Sequence, residues 1–217
     1  MNQILQTSLV SENKRKMRKR ILIVQFCISL ALFFTCGFYY GLLSYKRYQQ
    51  ENYSNSILKS YNITKIYADY KTNSVNNINN KIDESSNNLN VIGIIKIPSI
   101  DIEYPIFANC NEELLKISPC RFYGSLPGKV GNLCVAGHNY NNKQFFSQIG
   151  TLDINDIIYV YDSFNKCFEY KVFDNYEVKS DNLLPVYSNS KKLKELTLIT
   201  CNNFNQNRII IKAKITT

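Results

Sequence analysis

The feature that most limits what this chain can fold into is an uncharged run from Ile21 to Tyr45, set directly against Lys14-Arg15-Lys16-Met17-Arg18-Lys19-Arg20. At about 1.5 Å of rise per residue, a helix over that run crosses the ~30 Å hydrocarbon core of a bilayer. Its apolar heart, Ile21 to Leu43, outruns the roughly 7–15 residues of a signal-peptide core, and no small-x-small cleavage site follows. A cleaved signal peptide with an extended core is therefore the weaker alternative. Six basic residues precede the run and only Lys46 and Arg47 closely follow it. The positive-inside rule then keeps residues 1–20 in the cytoplasm and places everything after residue 50 outside. Tyr39, Tyr40 and Tyr45 suit the outer interface, and Phe33-Phe34-Thr35 before Cys36 is a poor lipoprotein signal.

Charge follows the same division. Residues 1–50 hold eight Lys/Arg against one Glu, whereas residues 51–217 hold eighteen against sixteen, so most of the +9 belongs to the tail. A nearly neutral body argues against nucleic acid as a partner. An odd number of cysteines, seven, excludes a framework in which every thiol is paired. One histidine and no Cys/His cluster give no basis for a structural zinc site, and neither a cofactor nor a metal is expected.

Residues 46–90 read as a polar extracellular tether. Tyr48, Tyr53, Ile57, Leu58, Tyr61 and Ile66 allow one or two amphipathic turns, and the Asn/Ser-dense stretch from Lys71 to Asn90 cannot bury enough apolar surface to order itself. From residue 91 to 217 the texture becomes β-rich. Short apolar runs at 91–97, 100–106, 133–136, 157–161, 167–172, 196–200 and 209–213 alternate with turn residues, which predicts an all-β barrel or sandwich. Phe145, Phe146 and Ile149 predict a short helix over 142–149. Cys134 and Cys167 are expected in the core, while Cys110 and Cys120 flank a short stretch across which they are able to pair.

Three residues stand where chemistry is commonly displayed. His138 ends the apolar strand Leu133 to Ala136 and follows Gly137, which permits an unusual backbone or a close approach. Cys201 ends Thr197-Leu198-Ile199-Thr200, and Arg208 opens the next apolar run. If those two runs form an antiparallel hairpin, Arg208 returns beside Cys201. A thiol, a proton carrier and a fixed cation are the parts of an acyl-transfer site. Taken singly, the bland reading holds: a lone histidine is usually a satisfied or surface residue, and a lone cysteine a small buried hydrophobe.

Together the motifs resemble the sortase family, the membrane-anchored cysteine transpeptidases of Gram-positive surfaces. The resemblance lies in Thr197-Leu198-x-Thr200-Cys201 with Arg208 beyond it, in Gly137-His138 at a strand end, in Ile95-x-Ile97-Pro98-x-Ile100, and in Pro127-Gly128-x-x-Gly131-Asn132. It covers about residues 91–214. It implies an eight-stranded β-barrel with short helices, with His138 as proton donor and acceptor, Cys201 as nucleophile and Arg208 as oxyanion or substrate stabiliser. It also implies the partners: secreted proteins with a C-terminal sorting signal, and an amine from a cell-wall precursor or a pilin.

The pattern around 145–158 resembles class D members most. Class B stays open, although under twenty residues between Val178 and Thr197 leave little room for the long helix of that class. Glu112 and Glu113 read as a solvated helix face rather than the calcium ligands of some class A members, and no Asp-Pro lid of the class C type precedes Val91. Among rivals, an L,D-transpeptidase packs its His and Cys in one short motif and an NlpC/P60 peptidase places its Cys before its His; neither order fits. The rival of another kind is a non-enzymatic anchored β-domain for adhesion or assembly, which needs no reactive thiol.

Overall fold

In a computed structural model of the 217-residue chain, residues 2–73, 90–140, 142–187 and 193–216 are described. The chain divides into two units, Met1–Gln49 and Gln50–Thr217. In the first, the uncharged run is helical within α1 (Asn2–Asn73). Apart from half-buried Leu43 its side chains stay exposed, Phe33 by 74% and Phe38 by 71%, and none of its most apolar window is buried against protein. Met17–Tyr61 is long and apolar enough to cross a membrane.

The expected tether over 46–90 differs from the structure in its first part. Helix α1 continues to Asn73 rather than making one or two turns, and within the second unit residues 51–57 pack on the β-domain. Ile57 is buried with Phe107 and Cys120. Ser54 meets Ser118 at 3.4 Å, and the Glu51 carboxylate accepts from the Tyr104 hydroxyl at 3.3 Å and from the Gln144 amide. Ser54 and Ile57, three apart, share a helix face, which the polar residues around them conceal from a composition reading. Residues 74–89, where the Asn/Ser-dense stretch falls, lie outside the described residues.

Eight strands then follow: β1 (Val91–Ile97), β2 (Ile102–Phe107), β3 (Cys120–Gly124), β4 (Gly131–Ala136), β5 (Ile157–Asp162), β6 (Cys167–Val178), β7 (Lys194–Cys201) and β8 (Arg208–Ile215). Two short helices interrupt them, α2 (Glu112–Leu115) and α3 (Leu184–Tyr187). The strands close into a barrel in the order β1-β2-β3-β4-β7-β8-β6-β5. Inward-facing residues alternate along each strand, as the two-residue repeat requires. In β6, for example, Phe168, Tyr170 and Val172 are buried while Glu169 and Lys171 between them are not. With Ile95, Leu133, Phe146, Ile158, Leu198 and Ile211 they fill one core.

That alternation also corrects one cysteine. Cys134 is buried as expected, but Cys167 is exposed because Phe168 takes the inward position beside it. The helix expected over 142–149 is absent: Lys143 and Phe145 have φ of +67° and +49°, outside the helical region, and only Ile149–Thr151 makes a 3-10 turn. The strand expected from Ile100 begins at Ile102, since Pro98–Ile100 forms a 3-10 turn closed by Asp101 at φ +52°. Strand β3 was not among the expected runs. It is short, buried only at Cys120, and pairs with β2 only at Phe107↔Cys120. Glu112 and Glu113 do lie exposed on α2, which Asn111 caps by accepting from the Leu114 amide at 2.8 Å.

Candidate active site

The site follows from two strand pairings. Strands β4 and β7 run parallel, with Leu133↔Leu196, Val135↔Leu198 and Ala136↔Ile199 in register. Two parallel strands in register end on the same side, so Gly137-His138 and Thr200-Cys201 emerge together. The Gly137 amide donates to the Ile199 carbonyl at 3.1 Å and the Thr200 hydroxyl to the Gly137 carbonyl at 2.8 Å, extending the match past the strands. Strands β7 and β8 form the antiparallel hairpin that sequence spacing suggests, and its last pair is Cys201↔Arg208.

His138, Cys201 and Arg208 line one cavity of about 240 Å³, together with Cys110, Phe122 and residues of the β6–β7 connection. The other arginine of the β-domain is engaged elsewhere: Arg121 donates to the carbonyls of Ala108 at 3.2 Å and Gly124 at 3.0 Å. Among the described residues Arg208 holds only a long contact to the Gln206 carbonyl, 3.4 Å, which leaves most of its donor fork unused by them.

Gly137 serves close approach rather than an unusual backbone. A Cβ there would sit 2.7 Å from the Phe146 ring, so any side chain would push the His138 strand end off the core. The His138 ring stacks on Tyr140, with centroids 4.9 Å apart and planes at 27°, and Tyr140 meets Phe145 at 5.7 Å. Its Nε2 is buried and has no hydrogen-bond partner among the described residues. A buried nitrogen left unpaired is costly in a merely structural residue and useful in one that must receive a proton. Burial lowers the imidazole's affinity for a proton, the Lys116 ammonium lowers it further, and Glu112 partly opposes both. The ring is therefore neutral at neutral pH, which makes it a ready base.

Several positioning contacts were invisible in the sequence. Asn139 donates to the Cys201 carbonyl and Asn203 to the Asn139 carbonyl, each at 2.9 Å, tying the two loops that carry His138 and Cys201. Adjacency to His138 was the only signal for Asn139. Glu177 on β6 gathers the turn between β7 and β8: Asn202, Asn205 and Asn207 donate to it at 2.5, 3.0 and 3.4 Å. Those amides hold its carboxyl below the usual carboxylate range. Nothing local marks Glu177, because its partners come from another hairpin. Among the described residues, no group of three or more His, Cys, Asp or Glu is placed to hold a metal ion.

Comparison with known proteins agrees with this architecture. Residues 95–216 match the sortase domain family model. The chain is 40% identical over 113 residues to sortase A of Bacillus anthracis, an alignment covering 51% of this chain and 52% of that protein. The chain thus spans about half the length of the curated relative it matches. Among solved structures, a Clostridium perfringens sortase D5 transpeptidase superposes with a TM-score of 0.57 at 21% identity, covering 76% of this chain and 97% of the other. Listeria monocytogenes sortase A superposes with a TM-score of 0.54 at 23% identity (58% and 88% covered). Sortase C1 of Streptococcus agalactiae does so with 0.55 at 26% identity (63% and 71% covered). These three are sortases of different classes, and their likeness to this molecule is one of fold. With more than half of its residues inside the matched domain, this chain belongs to the sortase family.

Proposed function

We propose that the protein is a membrane-anchored cysteine transpeptidase in which Cys201 is the nucleophile, His138 the proton carrier and Arg208 the oxyanion or substrate stabiliser. The observation that carries this reading is the register: a parallel pair and a hairpin bring the ends of β4, β7 and β8 to one cavity. The Cys201 sulfur attacks a backbone carbonyl carbon within a sorting signal while its proton passes to the neutral His138 imidazole. The guanidinium of Arg208 donates to the oxygen that gains charge. The C–N bond then breaks, the imidazolium protonates the departing amine, and a thioester remains on Cys201. An incoming amine, from a cell-wall precursor or a pilin lysine, gives a proton to His138 and expels the sulfur.

The helix over Ile21 to Tyr45 serves as the anchor, with residues 1–20 in the cytoplasm and the barrel outside, where secreted substrates pass. The basic residues before the span support that orientation. Full-length protein in detergent micelles, incubated with a panel of sorting-signal peptides and followed by mass spectrometry, should cleave at one defined bond and pass the acyl part to an added amine. A panel left intact, with slow native-state labelling of Cys201 by a thiol reagent, would favour a non-enzymatic β-domain instead.

A further inference from the structure

One side of the cavity is formed by the connection between β6 and β7, through Asn182, Leu183 and Val186. Among its described residues the one regular element is α3, four residues long. Such a helix leaves its carbonyls without amide partners further along the chain, so something outside must satisfy them. The barrel supplies the donors. The Lys212 ammonium on β8 donates to the Pro185 carbonyl at 3.2 Å and to the Thr197 hydroxyl at 2.9 Å. The Thr197 hydroxyl donates onward to the Asn132 side-chain oxygen at 2.7 Å. The Asn132 amide closes the circuit, donating to the carbonyls of Val186 at 3.1 Å and Pro185 at 3.4 Å.

All three barrel residues are buried: Thr197 is 0%, Asn132 6% and Lys212 7% exposed. Lysine is seldom so buried unless paired, and Lys212 has the Pro185 carbonyl and the Thr197 hydroxyl as partners, with the Glu195 carboxylate at 4.0 Å. Burial lowers the affinity of the ammonium for its proton, which Glu195 partly restores. Ile211 and Ala213 on the same strand face the barrel core, so Lys212 between them lies on the opposite face, towards α3. Apolar replacement of a buried charged cluster is commonly neutral or stabilising, whereas the place of Lys212 beneath the Pro185 carbonyl gives it a definite partner in α3.

We propose that Lys212, Thr197 and Asn132 are positioning residues which hold the 182–187 wall of the cavity in place and so set how tightly the substrate peptide binds. None of the three touches the reacting atoms. The inference rests on the transpeptidase reading, and the geometry adds a role for the first threonine of the Thr197-to-Cys201 motif.

The test uses full-length protein with Lys212→Met, Thr197→Val and Thr197→Ser. Thr197→Val keeps the shape and loses the hydroxyl, while Thr197→Ser keeps the hydroxyl. Thr197→Val and Lys212→Met should raise the peptide KM about tenfold with kcat within about twofold, the size expected when a buried hydrogen bond is lost from a binding wall. Thr197→Ser should restore KM, and the alkylation rate of Cys201 should be unchanged in all three. The Val186 and Tyr187 amides should exchange with solvent faster in Thr197→Val than in wild type. Unchanged KM in Thr197→Val, or a fall in kcat at constant KM, overturns the proposal even if Lys212→Met fails to fold. If wild type turns over no peptide, the transpeptidase reading has failed, and unchanged exchange at Val186 and Tyr187 then overturns the positioning role by itself.

Discussion

Cys134 and Cys201 lie on paired strands of one barrel and have opposite surroundings. Cys134 sits within β4 opposite Thr197, fully buried, and burial pushes its thiol up to about 12. Cys201 sits at the end of β7, half-buried, where the wall gives way to a cavity shared with His138 and Arg208. The wall and the rim thus use the same residue type for different ends. In the wall a thiol fills volume and is protected from reaction; at the rim it is partly exposed and lines the same cavity as His138 and Arg208. Substitutions in the wall should cost stability and spare chemistry, and substitutions at the rim should do the reverse.

The largest effect expected at the rim beyond the nucleophile itself is at Arg208. Lysine keeps the charge but loses the planar fork. Loss of one oxyanion donor costs about 10²–10³ in rate, so Arg208→Lys should lose that much kcat while its thermal midpoint stays that of wild type. Near-normal turnover would move Arg208 to a structural role and erase one side of the contrast.

A smaller effect sharpens the wall side. Ile57 packs on Phe107 and Cys120, so the barrel's packed body includes part of α1. Ile57→Ala should cost about 2–3 kcal/mol in denaturant unfolding of the β-domain, with kcat/KM of the folded fraction unchanged. A chain beginning at Asn90 should lose at least as much. If either is as stable as wild type, the packing of residues 51–57 contributes nothing, and the segment is a tether as its composition suggests.

The smallest effect is a pH slope. The folded site holds the His138 imidazole below its ordinary 6.5, chiefly by burial. The unfolded chain therefore binds a proton that the folded chain refuses, and stability should fall as pH drops below about 6.5. That slope should be shallower in His138→Gln. An equal slope in the variant would place the acid sensitivity in other groups and leave His138 without a desolvated site.

The strand ends were legible in the sequence because an apolar run stopping at Gly137-His138 or Thr200-Cys201 marks where a strand leaves the core. The hairpin was legible too, since few residues separate Cys201 from Arg208. The pairing that completes the site was not legible from local pattern. Strands β4 and β7 are far apart in sequence, and a parallel pair leaves no turn signal between its members. The family resemblance bridged that gap by implying the barrel. Ile57 was misread because a single apolar face on a polar helix looks like a linker until its partner, the Phe107 patch, is known. Lys212 was missed for the opposite reason: a lysine in an apolar run reads as surface, and its partners, the Pro185 carbonyl and the Thr197 hydroxyl, lie on other segments of the chain.

The central claim is that the rim thiol, and no wall thiol, carries the acyl group. Full-length protein is incubated with a cleavable sorting peptide, quenched in acid, digested and mapped by mass spectrometry, alongside Cys201→Ala and Cys134→Ala. The acyl mass should appear on the peptide containing Cys201 in wild type and in Cys134→Ala, and nowhere in Cys201→Ala, which should be folded and inactive. An adduct on Cys110, Cys120 or Cys134, or peptide cleavage by Cys201→Ala, would contradict the account.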